Sequence, residues 1–248
     1  MFHSELIKMR RSSTWIIAVL LPVLAIVTGT INLASNPEAL DAGWASFTSQ
    51  VVLFYGLLFF SMGVSLLAAT AWRVEHQGAN WSLLLTSTSR PVRLALAKIG
   101  VILLPVTLMQ FVLVVGTAIS GTLILRLEGQ MPWEFVVVGI VSIVAALPLV
   151  AAQSLLSMLI RSFAAPVALC LIGCVVGVAT VTSLALRPMS LVLPQALITR
   201  SINLGSTAIA GSAGLTVSDT VPLILTSVGI GASILALTVL ALRVVKLR

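Results

Sequence analysis

Apolar residues gather along this chain in six long blocks, set apart by short polar stretches. The blocks are Thr14 to Leu33, Gln50 to Ala71, Ile99 to Leu125, Phe135 to Ile160, Ala164 to Leu186 and Val221 to Leu242. Each reaches the roughly 20 residues that an α-helix needs to cross a bilayer. The runs are far longer than the roughly 10 alternating residues of a membrane β-strand. A backbone in lipid must satisfy its own polar groups, so helices are the default spanning element. The pattern predicts an all-α membrane protein with six transmembrane helices, residues 1–248 forming a single transmembrane domain. Lys8, Arg10 and Arg11 precede the first block as they would precede a signal peptide. That block is too long for one, and no small-x-small cleavage site follows. It reads as a retained helix.

Composition agrees with the pattern. Of 248 residues, 59% are hydrophobic and 8% charged, and the mean hydropathy is +1.16. A soluble domain carries about 25% charge. The few charges set the orientation. Of the 14 Lys and Arg residues, all but Arg126, Arg187 and Arg200 fall on the side of the N-terminus. That bias predicts cytoplasmic termini and an even number of crossings. Trp15 and Trp72 fall near the inner interface, and Trp44 and Trp133 near the outer one, as aromatic belts do. The net charge of +7 follows from topology and contact with anionic lipid, and no nucleic-acid partner is expected.

The connections differ in character. Arg161 to Phe163 is very short, so the fourth and fifth helices should be antiparallel neighbours, with Pro166 in the first turn of the fifth. Residues 187–220 form the longest extracellular piece. Pro188, Pro194, Gly205, Gly211 and Gly214 interrupt it, while Leu191, Val192, Leu193, Leu197, Ile198 and Ile202 keep it apolar. The expectation is a segment lying on the outer part of the bundle or dipping into it, where Leu193 and Leu197 either touch substrate or seal the bundle.

Candidate chemistry is sparse. No G-x-x-x-x-G-K-[ST] is present to cradle a nucleotide phosphate. His3 and His76 are far apart in sequence, and Cys170 and Cys174 lack further ligands, so no metal site and no catalytic residue is expected. The two cysteines share a helix face with Gly173 and Gly177. Such a small-residue face admits a close helix, either within the chain or across a dimer. The helix centres carry no charge, which argues against ion-coupled transport. Their polar residues are Gln50, Gln110, Gln153, Ser154 and Ser157. The last three follow Pro148, where a kink could expose carbonyls. Gln153 and Ser157 are left with two roles, interhelical hydrogen bonding or substrate contact.

One stretch departs from this blandness. Between Glu75 and Lys98 the chain reads E-H-Q-G-A-N-W-S-L-L-L-T-S-T-S-R-P-V-R-L-A-L-A-K. As a helix from Glu75 to Leu85 it puts Val74, Gly78, Trp81 and Leu85 near one stripe, with Leu84 beside it. An apolar stripe on a charged cytoplasmic loop suits a surface resting on lipid headgroups or a protein-docking element.

Glu75, Gly78, Trp81, Leu84, Leu85, Ser89, Arg90 and Lys98 resemble the cytoplasmic loop of ABC-2 type permeases. The likeness is closest to the permeases of bacitracin and lantibiotic immunity exporters. Residues 1–12, with S-E-L-I-K-M-R-R-S, are similar to that family's N-terminal interfacial helix. The resemblance implies that residues 74–90 form a coupling helix. Glu75, Gly78, Trp81, Leu84, Leu85 and Arg90 would then meet a separate ATPase, present in two copies, which binds ATP and Mg. It also implies a second permease, identical or homologous, and a bacterial cytoplasmic membrane. Lys8, Arg10, Arg11 and Lys98 would anchor the chain at the headgroups. A bulky amphipathic cargo such as an antimicrobial peptide fits the uncharged interior. The alternatives are an exporter of lipid, drug or sodium, or a scaffold or assembly subunit without transport.

Overall fold

The computed structural model describes residues 2–10, 12–77, 91–183, 185–207 and 215–244. It holds six helices long and apolar enough to cross a membrane, with no strand among the described residues. A short helix comes first, α1 (Phe2–Arg10). The spans are α2 (Thr14–Ser35), α3 (Trp44–His76), α4 (Pro91–Ile124), α5 (Trp133–Leu159), α6 (Ala164–Thr182) and α8 (Val217–Val244). A second short helix, α7 (Pro194–Ile202), precedes α8. The all-α, six-span class inferred above is what the chain adopts. Six crossings put α1 and the end of α8 on one face of the bundle, the N-terminal face.

Two helices outrun their apolar blocks. α3 continues through Glu75 to His76, and α4 begins at Pro91, about two turns before Ile99. Pro91 suits a helix start because its φ is preset and it has no N–H to leave unpaired. Glu75 and Lys98 extend the helices because each neutralises the other inside the bundle. At the other end α6 stops at Thr182, short of Leu186, where Ser183 turns extended.

Burial ranks the helices. In α3 and α5, 61% of the most apolar window is enclosed, against 33% in α2 and 28% in α6 and in α8. α3 and α5 are therefore the axis, and the others wrap it with apolar faces such as Ile16, Leu20 and Ile31 turned outward. Between α2 and α4 lies an open groove of about 370 Å³, lined by Val23, Ile26, Val27, Ile31, Gly116 and Ile119. Its two hydroxyls, Thr30 and Ser120, bond to each other at 2.8 Å.

Three irregularities interrupt the spans. α3 has a π turn at Tyr55–Phe59 and α4 another at Ser120–Ile124. α5 breaks at Ala146, just before Pro148, which has no N–H to return to the preceding turn. The first π turn is a seat for α7: the Thr199 hydroxyl donates to the Gly56 carbonyl at 2.9 Å. α7 buries Ala196, Leu197, Ile198, Thr199, Ser201 and Ile202.

This placement bears on two features whose roles the sequence left open. Leu197 and Ile198 are fully enclosed and Leu193 is half-buried, so Leu197 packs into the bundle, as the sealing alternative requires. The small face of Cys170, Gly173, Cys174 and Gly177 is also filled from within the chain. A Cβ on Gly177 would lie 3.0 Å from the Ala196 nitrogen, and one on Gly173 would collide with Gln195. The Cys170 thiol donates to the Ser61 carbonyl at 3.4 Å. The close neighbours are α7 and α3 of the same molecule, so the small face serves packing within the chain.

Candidate functional site

Four charged side chains meet at the N-terminal face. Glu5 and Lys8 stand one turn apart on α1, Glu75 is next to last in α3, and Lys98 lies two turns into α4. Lys98 Nζ contacts Glu5 Oε2 at 2.6 Å and Glu75 Oε1 at 2.7 Å, and donates to the Ala71 carbonyl at 3.0 Å. An ammonium has three donors, and these contacts use all of them. The ring of Trp72 lies 5.1 Å from the same nitrogen. Lys8 Nζ closes the circuit, 2.8 Å from Glu5 Oε1 and 2.7 Å from Glu75 Oε1.

The clasp carries no net charge, and that allows its burial. Glu5, Glu75 and Lys98 are 4%, 1% and 2% exposed. A lone charge at such a site would cost several kcal/mol. Here each carboxylate faces both ammonium groups. Burial alone would depress the Lys8 pKa, but the hydrogen bonds and charges of Glu5 and Glu75 outweigh it, so the value is raised.

A second set of bonds ties α3 to α5. The Ser65 hydroxyl donates to Gln153 Oε1 at 3.0 Å, and Trp72 Nε1 donates to Ser154 Oγ at 2.7 Å. His76 Nε2 lies 2.7 Å from the Ser157 carbonyl. A carbonyl only accepts, so the proton sits on Nε2. Arg73 lies over the Phe163 ring at 5.7 Å, in the connection between α5 and α6. The end of α3 is thus held by α1 and α4 on one flank and by α5 on the other.

Several sequence-based assignments change in this light. Lys98 does not reach out to headgroups; its ammonium turns inward because two carboxylates await it. Glu75 faces the same cluster and is 1% exposed, so it fixes the end of α3 and presents no surface to a partner. Gln153 and Ser157 are 1% and 3% exposed; Gln153 accepts from Ser65 of α3, the interhelical role, whereas Ser157 meets α3 only through its backbone carbonyl and its hydroxyl is without a partner. Trp72 leaves the aromatic belt for the core, at 0% exposure. Lys8 is partly exposed at the edge of the clasp. Gly78, Trp81, Leu84, Leu85, Arg90 and Arg11 lie outside the described residues. Sequence reasoning missed Glu5 and the Ser65, Trp72 and His76 bonds. The available signal for Glu5 was its rarity: the chain has only 7 acids, and this one is a turn from Lys8.

Six apolar spans and a buried, charge-neutral clasp at the root of one loop define a multi-pass membrane protein. A family model described as ABC-2 family transporter protein matches residues 1–177, a stretch that contains the whole clasp. The chain belongs to the ABC-2 transporter family, whose permeases are membrane transport components that generally work with an ATPase partner. Searches of curated proteins and of solved structures returned no match.

Proposed function

We propose that this chain is the permease subunit of an ATP-driven exporter in a bacterial cytoplasmic membrane. Its termini are cytoplasmic, so the N-terminal face looks inward. It pairs with a second permease and with two copies of a separate ATPase that bind ATP and Mg. The observation that carries this reading is the clasp. A push on residues 78–90 reaches the spans only if the root of that segment is stiff. Glu75 and Lys98 flank the segment and are bound to each other at 2.7 Å. Movement of the segment is therefore passed to α3, α4 and α1 together, and through Trp72 and His76 to α5.

The cargo we assign is a bulky amphipath such as an antimicrobial peptide. The mid-membrane interior carries no charge to bind an ion, and its polar groups are amides and hydroxyls. The partnership is tested by coexpression with the candidate ATPase in nanodiscs. A stable complex centred on a permease dimer is expected. A permease that is monodisperse alone and never retains the ATPase overturns the exporter reading and leaves a scaffold. Trp81→Ala should weaken retention by about 2 kcal/mol or more, as truncating an aromatic anchor does. Copurification and substrate-stimulated ATP hydrolysis measure it.

A further inference from the structure

Many hydroxyls on the spans satisfy themselves by donating to a carbonyl one turn back, as Thr70 does to Leu66 and Ser227 to Leu223, both at 2.7 Å. The hydroxyls of Tyr55 and Ser61 of α3 and of Ser157 of α5 lack a partner, and so do the side chains of three residues along the contact of α4 with α5. Gln110, Thr117 and Ser142 are 3%, 0% and 0% exposed. The Thr117 and Ser142 hydroxyls and both amide atoms of Gln110 have no hydrogen-bond partner. Gln110 is alone, among the described residues, in having both amide atoms so placed.

Helix geometry puts these groups on one seam. A Cβ on Gly139 of α5 would lie 3.2 Å from Val114 Cγ2 of α4, which fixes the register. Gln110 is four residues before Val114 and Thr117 three after it, so both share its face. Ser142 is three residues after Gly139 and shares that face. The two spans are antiparallel, so Gln110 and Ser142 both lie toward the N-terminal face from the contact, by about 6 and 4.5 Å respectively. They are level to within about 2 Å, and the break in α5 at Ala146 is one turn further on.

Buried polar atoms without partners cost folding free energy, whereas an apolar residue of similar shape would not. We infer that this seam is a recognition strip for the cargo, opened in another state of the transport cycle. Its ligand is the amide backbone of a peptide, an inference that rests on the peptide-exporter reading above. Gln110 carries an NH2 that donates and a carbonyl oxygen that accepts, so it can pair with both the C=O and the N–H of a peptide group. The strip has no charge, so a phosphate or ammonium would go unneutralised at that depth. The break at Ala146 supplies the joint about which the two halves of α5 separate.

Gln110→Met tests this. The full permease with its ATPase is placed in nanodiscs, and ATP hydrolysis is read against rising bacitracin, a cyclic amphipathic peptide, and against a panel of linear cationic amphipaths. The variant should melt higher than wild type. It should need at least tenfold more peptide for half-maximal stimulation. A lower melting temperature overturns the inference, because the amide then has a partner at rest. Unchanged peptide response overturns it too, leaving the exporter reading intact. Wild type indifferent to every peptide overturns the peptide reading itself and the strip with it.

Discussion

At the scale of single residues, Lys98 is the keystone of the N-terminal face. Lys98→Met would leave Glu5 and Glu75 buried with one cation between them. Breaking a buried pair in this way costs about 3–5 kcal/mol. A matching fall in melting temperature is expected. Glu75→Gln added to Lys98→Met should recover part of it, which a double-mutant cycle measures. Lys8 gives a pH test. Its folded pKa is raised above 10.5, so its contribution is fully present below that pH and is lost as pH rises through the folded value. Near the alkaline limit, wild type should lose melting temperature faster than Lys8→Arg, since a guanidinium stays charged. The sequence marked Glu75 and Lys98 as unusual by their density of charge in a greasy chain. It assigned them outward roles because a charge beside an apolar block normally faces water. That Glu5 would arrive from another helix and make burial affordable is a tertiary fact, and no local pattern encodes it.

Helices and their contacts tell a different story of legibility. Existence and type of all six spans follow from length and hydropathy, because lipid leaves a backbone few choices. Their ends do not follow, since α3 and α4 are prolonged by a pairing between them. The apolar proline-bearing segment after α6 could be expected to enter the bundle, and α7 does so. Spacing alone could not reveal its seat. Gly173 and Gly177 announce a close helix without saying which, and α7 is the answer. Gly177→Val should therefore strain the α6–α7 contact by about 1–3 kcal/mol, the usual cost of overpacking. Thermal unfolding should move to lower temperature while permease dimerisation, followed by cross-linking, stays as in wild type. Loss of the dimer with unchanged stability would reverse the assignment.

For the molecule as a whole, bonds from α3 reach α1, α4, α5, α6 and α7, so α3 is the hub through which the two faces communicate. α2 is tied to α3 by Asn32 Nδ2, which donates to Gln50 Oε1 at 2.7 Å, and to α4 by the Thr30–Ser120 hydroxyl pair, while Arg200 of α7 lies 3.8 Å from Asp219 of α8. The clasp also imposes an order on biosynthesis. Glu5 and Lys8 leave the ribosome first, yet their buried partner Lys98 is translated only after two spans have entered the membrane. Until α4 is made, α1 has no place to settle, and its charges wait at the membrane surface. Met9, 5% exposed in the finished fold, reports on this. In ribosome-bound chains ending before Pro91, Met9→Cys should react readily with a thiol reagent, and in chains that include α4 it should be shielded. α1 is thus synthesised two spans before the helix that fastens it, and a chain arrested before α4 leaves Glu5 and Lys8 without their buried partner.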